Sequence, residues 1–137
     1  MSDNRGYYEI PHIADLALHV GGSSPEELLL HAAQGLTALM RCEPARESEP
    51  VEYQIELSAP DLESLLIDWL NEIIYLATEK SFYPNKFGIA AIVNNTLRAT
   101  VGGSSPARIC QYVKAATFHG LALANTAGYQ VTIVFDV

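Results

Sequence analysis

Two carboxylates lie within the last two residues of the 137-residue chain, one on the side chain of Asp136 and one at the terminus of Val137. They follow an apolar run, Val131, Ile133, Val134 and Phe135, that reads as a strand carrying them to its end. Negative groups so close together repel, and the repulsion grows with burial unless a cation or a set of donors neutralises them. A hard divalent cation is one remedy, because calcium and magnesium accept carboxylate, backbone carbonyl and water oxygens. An exposed, hydrated chain end is the other. A third carboxylate, Asp15, begins a second alternating run. Strand ends meet strand ends, so Asp15 and Asp136 can share one edge of a sheet.

Other reactive side chains offer less. The chain has no Gly-x-Ser-x-Gly elbow, no His-Glu-x-x-His, no Cys-x-x-Cys and no dinucleotide fingerprint. His31 falls on the polar stripe of an expected helix and His19 on the polar side of an expected strand, so both are read as solvated. Cys42 and Cys110 are the only cysteines and lie far apart in sequence, which suits reduced thiols in cytoplasm better than a disulfide framework or a zinc knuckle. Cys42 stands beside Arg41 but has no positioned base, and is expected to be inert.

Sixteen acidic residues against eight basic ones give a formal charge of -8, and the bases are scattered. Affinity for a phosphate backbone needs clustered Lys and Arg, so strong direct nucleic-acid binding is not expected. An acidic surface suits a cation or a basic partner protein. With 49% hydrophobic and 18% charged residues the composition is that of a soluble globular chain, with neither a membrane span nor an export signal.

The elements that would position the carboxylates follow from periodicity. Leu16, Leu18 and Val20 alternate with Asp15, Ala17 and His19, a half-buried strand ended by Gly21 and Gly22. Ser24, Pro25 and Glu27 form a capping box, and a helix to about Met40 carries one apolar stripe from Leu28 to Met40. Residues from Cys42 to Pro50, rich in Glu and Pro, read as a loop. Val51, Tyr53, Ile55 and Leu57 then alternate as a second strand. Asp61 caps a second helix to about Thr78 whose apolar residues cover more than half its circumference, leaving Ser64, Asp68, Asn71 and Tyr75 on a narrow polar edge. Phe87 to Val93 and Leu97 to Val101 flank Asn94 and Asn95, a hairpin turn. Gly102 to Pro106 reads as a break, and a second hairpin, about Tyr112 to Leu123 with Tyr129 to Val137, follows. Val-Gly-Gly-Ser-Ser-Pro occurs twice, at Val20 to Pro25 and Val101 to Pro106. Both copies are read as strand end followed by helix start. The expected fold is α+β: mixed or mostly antiparallel sheets of about six strands packed with two helices. Residues 1–137 form one domain in this reading, with residues 1–6 a flexible tail.

Four segments then resemble one family, in register. Pro11-His-Ile-Ala-Asp15 is similar to the archease opening Glu-His-Thr-Ala-Asp, and Leu66-Ile-Asp-Trp-Leu-Asn-Glu-Ile-Ile74 to Leu-Val-Asp-Trp-Leu-Asn-Glu-Leu-Leu. Val113-Lys-Ala-Ala-Thr-Phe-His-Gly-Leu121 resembles Val-Lys-Ala-Val-Thr-Tyr-His-Gly-Leu, and Val134-Phe-Asp-Val137 is the family's ending. The resemblance implies a non-catalytic accessory protein in tRNA splicing that promotes guanylylation and multiple turnover of an RtcB-type RNA ligase. It also implies a divalent metal, calcium in known members, held by Asp15, Asp136 and Val137. A chaperone-like role toward a tRNA methyltransferase is the alternative it carries. Lys114 and His119 match the family motif and are candidate partner contacts or structural residues. Pro11 and Ile13 depart from the family's Glu and Thr, which removes an oxygen donor near the site and predicts weaker metal affinity.

Overall fold

The computed structural model describes residues 6–10, 15–117, 123 and 128–137. Among the described residues, seven strands and two helices run in the order β1 (Gly6–Ile10), β2 (Leu16–Gly22), α1 (Pro25–Met40), β3 (Cys42–Ser58), α2 (Leu62–Glu79), β4 (Tyr83–Val93), β5 (Thr96–Ile109), β6 (Ala115–Thr117) and β7 (Tyr129–Asp136). They form a four-stranded sheet ordered β1-β2-β7-β6 and a three-stranded sheet ordered β3-β5-β4, with every pairing antiparallel. The fold is α+β, as the periodicity predicts, with one strand more than expected because Gly6–Ile10 pairs along β2.

Helix α1 starts where the capping box puts it. Ser24 is extended, at φ -145° and ψ 163°, and its hydroxyl accepts the Glu27 N–H at 3.1 Å. The Glu27 carboxylate reaches back one residue further than the motif prescribes, accepting the N–H and hydroxyl of Ser23 at 2.7 and 2.8 Å. All seven residues of the expected apolar stripe are buried. Arg41 closes the helix in the left-handed region, at φ 49°. Helix α2 is capped by Asp61, whose carboxylate accepts the Ser64 N–H at 2.7 Å and is held below the usual carboxylate range by that bond.

The helices bridge the sheets. α1 packs on β1 and β2 of the first sheet and on β4 of the second, while α2 packs on β6 and on β3 and β5. Between them lies the core, with Trp69, Phe82 and Phe135 its largest fully buried side chains. Trp69 also donates its ring N–H to the Leu29 carbonyl of α1 at 2.9 Å, so the largest apolar group of α2 has its polar atom satisfied by the neighbouring helix.

The β4–β5 hairpin turns at Asn94 and Asn95, both with positive φ (52° and 56°), the requirement of a tight two-residue turn. Two expectations fail beside it. Cys42 to Pro50 is the first half of a 17-residue strand and not a loop, and Gly102 to Pro106 is the interior of β5 and not a break. The two segments pair with each other, Glu49 with Ser105, Pro50 with Ser104 and Val51 with Gly103, across a register shift between Pro44 and Glu49. Proline survives in β3 because that strand is an edge, where a missing N–H need not interrupt a ladder. The second hairpin is present as β6 paired with β7. Its expected turn, Asn125 to Gly128, lies outside the described residues up to Gly128, as does His119.

Candidate metal centre

Burial sets the register that brings the carboxylates together. Leu18 and Val20 on β2, and Val131, Ile133 and Phe135 on β7, are buried, and Leu16 packs against the same core. They meet as opposed pairs, Leu16 with Phe135, Leu18 with Ile133 and Val20 with Val131. A slip of one residue would turn every one of these side chains to the other face. Leu16 opposite Phe135 is the last pair of this ladder, so Asp15 precedes it on one segment and Asp136 follows it on the other, at the same end of the sheet. Asp15 is half-buried, and Asp136 and Val137 are exposed.

Asp136 is held from the β6 side. Across β7 from β2 lies β6, with Ala115 opposite Asp136 and the Lys114 N–H donating to the Asp136 carbonyl at 2.8 Å. The Lys114 side chain is exposed. Behind β6 stands α2, whose Asn71 amide donates to the Ala116 carbonyl at 3.3 Å and accepts the Ala116 N–H at 2.8 Å. Nothing in the sequence marks this pair of bonds, because Asn71 and Ala116 are 45 residues apart and the polar edge of α2 names no partner.

Among the described residues, the ion pairs are Arg98 with Glu56 and Arg108 with Glu43, both exposed and both on the three-stranded sheet. Arg108 holds the Glu43 carboxyl below the usual carboxylate range by hydrogen bond and charge. Neither Asp15 nor Asp136 takes a basic side chain among the described residues.

The donor chemistry fits a hard cation. Oxygen is the only ligating atom offered by Asp15, Asp136 and a terminal carboxylate, and calcium or magnesium would complete its shell with backbone carbonyls and water. No group of three or more His, Cys, Asp or Glu side chains capable of holding a metal forms among the described residues. A closed nitrogen or sulfur site of the zinc type therefore has no counterpart there. Pro11, His12 and Ile13 lie outside the described residues, so the departures from the family's opening have no structural account.

The two histidines are not simply solvated. His19 stacks on Tyr8 with ring centroids 5.0 Å apart, and its ring nitrogens lie 3.1 Å from the Gln130 amide oxygen and 3.4 Å from the Thr132 hydroxyl. His31 Nδ1 lies 2.7 Å from the Gly21 carbonyl and 3.0 Å from the Gly6 N–H. One nitrogen cannot donate to the first and accept from the second at once, so the tautomer selects between them. Both rings tie strands of the first sheet together. Burial, and then the neighbouring Cys110, push the Cys42 thiol up to about 11, which disfavours the reactive thiolate.

Comparison with known proteins agrees with this architecture. The model of the Archease protein family (MTH1598/TM1083) matches residues 7–137. The chain is 29% identical to the protein archease of Methanosarcina mazei, covering 99% of each chain. It is 30% identical to the protein archease of Saccharolobus islandicus, covering 97% of this chain and 99% of that one. The solution structure of Methanobacterium thermoautotrophicum protein 1598 superposes with a TM-score of 0.72 at 23% identity, over 96% of this chain and 99% of that one. The Thermotoga maritima crystal structure described as an archease and possible chaperone superposes with a TM-score of 0.61 at 26% identity, over 93% and 94%. With the family model matched from the first described strand to the last residue, the chain belongs to the archease family.

Proposed function

We propose that this protein is an accessory factor that activates an RtcB-type tRNA-splicing RNA ligase, promoting its guanylylation and multiple turnover with a divalent ion, calcium, held by Asp15, Asp136 and the carboxylate of Val137. The observation that supports the metal reading is the β2–β7 register, whose last pair, Leu16 with Phe135, leaves Asp15 and Asp136 at the same end of the sheet with no basic side chain paired to either among the described residues. The ligase is inferred from family membership together with the motifs, and the acidic surface suits a protein partner better than bare nucleic acid.

In this reading the residues do three things. Asp15 and Asp136 bind the ion from opposed strands. The β6 strand fixes the Asp136 backbone through the Lys114 N–H. The exposure of Asp136 and Val137 leaves the site open to a partner. A bound hard cation would neutralise the carboxylates and present open coordination positions to an oxygen-bearing group of the ligase.

A ligation assay with the cognate ligase tests the proposal, comparing multiple-turnover yield with and without this protein and with a chelator. Asp15→Ala and Asp136→Asn are expected to lose stimulation while keeping the fold, and wild-type stimulation by both would remove the mechanism. A tag appended after Val137 is expected to weaken calcium binding where one before Met1 does not. The alternative is a chaperone-like role toward a tRNA methyltransferase, for which the description of the Thermotoga maritima relative as a possible chaperone is the support. Recovery of a methyltransferase and no ligase in a pull-down would favour it.

A further inference from the structure

We propose that Asn71 is a positioning residue for the carboxylate centre: its amide, bonded to both backbone groups of Ala116, fixes β6 and, through β6, the backbone of Asp136. The inference rests on the metal reading above and adds to it a residue that touches none of the carboxylates.

The strand that holds Asp136 on its outer side is short. β6 has three residues, Ala115–Thr117, paired with Asp136, Phe135 and Val134. A strand of that length, at the edge of its sheet, has little intrinsic hold on its own position. Two side-chain contacts supplement it. The Thr117 hydroxyl donates to the Val134 carbonyl at 3.1 Å, which ties β6 to β7 itself. Asn71 bonds Ala116 from the opposite direction, donating at 3.3 Å and accepting at 2.8 Å, as a further strand would. An amide side chain carries one acceptor and two donors on a short stem, so it can satisfy the N–H and the C=O of a single residue at once. A carboxylate has no donor for the carbonyl, and a hydroxyl must serve both roles from one atom, so neither matches the two-atom reach of the amide.

The chain of support runs from the core outward. Trp69, fully buried, fixes α2 against α1 through the Leu29 carbonyl. Two residues on, Asn71 transmits that fixed position to Ala116. Beside Ala116, Ala115 opposes Asp136, and the Lys114 N–H holds the Asp136 carbonyl. The Trp-Leu-Asn run thus serves two surfaces of one helix: Trp69 secures the helix, and Asn71 uses the secured helix to set the edge strand.

The test compares Asn71→Leu, which removes both bonds at similar volume, with Trp69→Phe, which destabilises α2 from its other side and leaves the Ala116 bonds in place. Calcium affinity is measured by titration calorimetry on the full chain, at a temperature where far-UV circular dichroism shows each protein folded. Amide exchange at Lys114 and Ala116 is measured by NMR without metal. Asn71→Leu is expected to weaken calcium binding by about tenfold, the low end of effects from residues that orient ligands. Exchange at the two amides is expected to accelerate by about tenfold as the edge strand opens more often. Trp69→Phe is expected to lower the melting temperature with calcium affinity unchanged, an outcome that a purely structural role for Asn71 would predict for both variants. If Asn71→Leu does not fold, Asn71→Ser, whose hydroxyl is too short for both bonds, carries the same expectation. Wild-type affinity in the Asn71 variant, or unaltered exchange at Lys114, would overturn the inference alone. Failure of the wild-type chain to bind calcium would overturn the metal reading and this inference with it.

Discussion

The six residues Val20–Pro25 recur as Val101–Pro106, and the two copies adopt different structures. In the first, the strand ends at Gly22 and Ser24 caps α1 with Pro25 at its first position. In the second, the strand continues without interruption to Ile109, and the Ser105–Pro106 peptide is cis. Both valines are fully buried, so the copies enter from equivalent places. They part at what comes next. Three residues after Ser24 stands Glu27, which completes the cap. Three residues after Ser105 stands Arg108, which cannot, and which instead pairs with Glu43 across β3. The second copy also has strands on both sides, with Ser104 opposed to Pro50 on β3 and to Tyr83 on β4. A short motif offers the backbone a choice, and the following residue with the neighbouring strands decides it.

The same amino acid at equivalent positions therefore answers to different neighbours, and substitution separates them. The largest effect is expected at Gly103, where an added Cβ would lie 1.8 Å from the Tyr83 carbonyl oxygen, so that β4 itself must move. Gly103→Ala should lower stability by about 3 kcal/mol in urea unfolding, at the upper end of overpacking costs. Its counterpart Gly22 faces the first turn of α1, with Leu28 N at 2.5 Å. Gly22→Ala should lower stability by about 2 kcal/mol, because a helix terminus can shift more readily than a strand paired along its length. The serines come next. Ser24→Ala removes the cap and should lower stability by about 1 kcal/mol. Ser105→Ala, whose exposed hydroxyl donates to the Lys80 and Ser81 carbonyls at 3.1 Å each, should lower it by about 0.5 kcal/mol. Gly102→Ala is the sharpest control: its nearest neighbour, Lys86 Cβ, would be 3.7 Å away, and the melting temperature should correspond to a change within about 0.5 kcal/mol. A loss at Gly102 as large as that at Gly103 would contradict the difference between adjacent glycines.

What the sequence makes legible follows the range of the forces involved. Ser24, Pro25 and Glu27 announce α1 because a cap is a local event, and Asn94 and Asn95 announce the hairpin for the same reason. The first half of β3 is hidden because Glu47, Glu49 and Pro50 are exposed on an edge strand, where alternation carries no burial signal. Its partner, Gly102 to Pro106, is hidden although it is central, because Gly, Ser and Pro carry no apolar alternation, and each half is a strand because the other is. Around the candidate centre, Asp15 and Asp136 are legible as strand ends, but their lying at the same end of the sheet depends on a register that only the packed pairs from Leu16 to Val20 determine. His19 and His31 are read as solvated, and Asn71 only as part of a polar edge, because their partners, Gln130, Gly21 and Ala116, belong to other elements.

The pairing of β2 with β7 joins segments as far apart as His19 and Thr132, 113 positions along the chain. Contacts of such separation carry the greatest loop-closure entropy and form late in folding. On a translating ribosome, the β4–β5 hairpin and both helices emerge before the strand that completes the first sheet has been synthesised. A nascent or truncated chain lacking residues 129–137 consequently lacks β7, the strand between β2 and β6, and with it the scaffold on which the proposed centre depends.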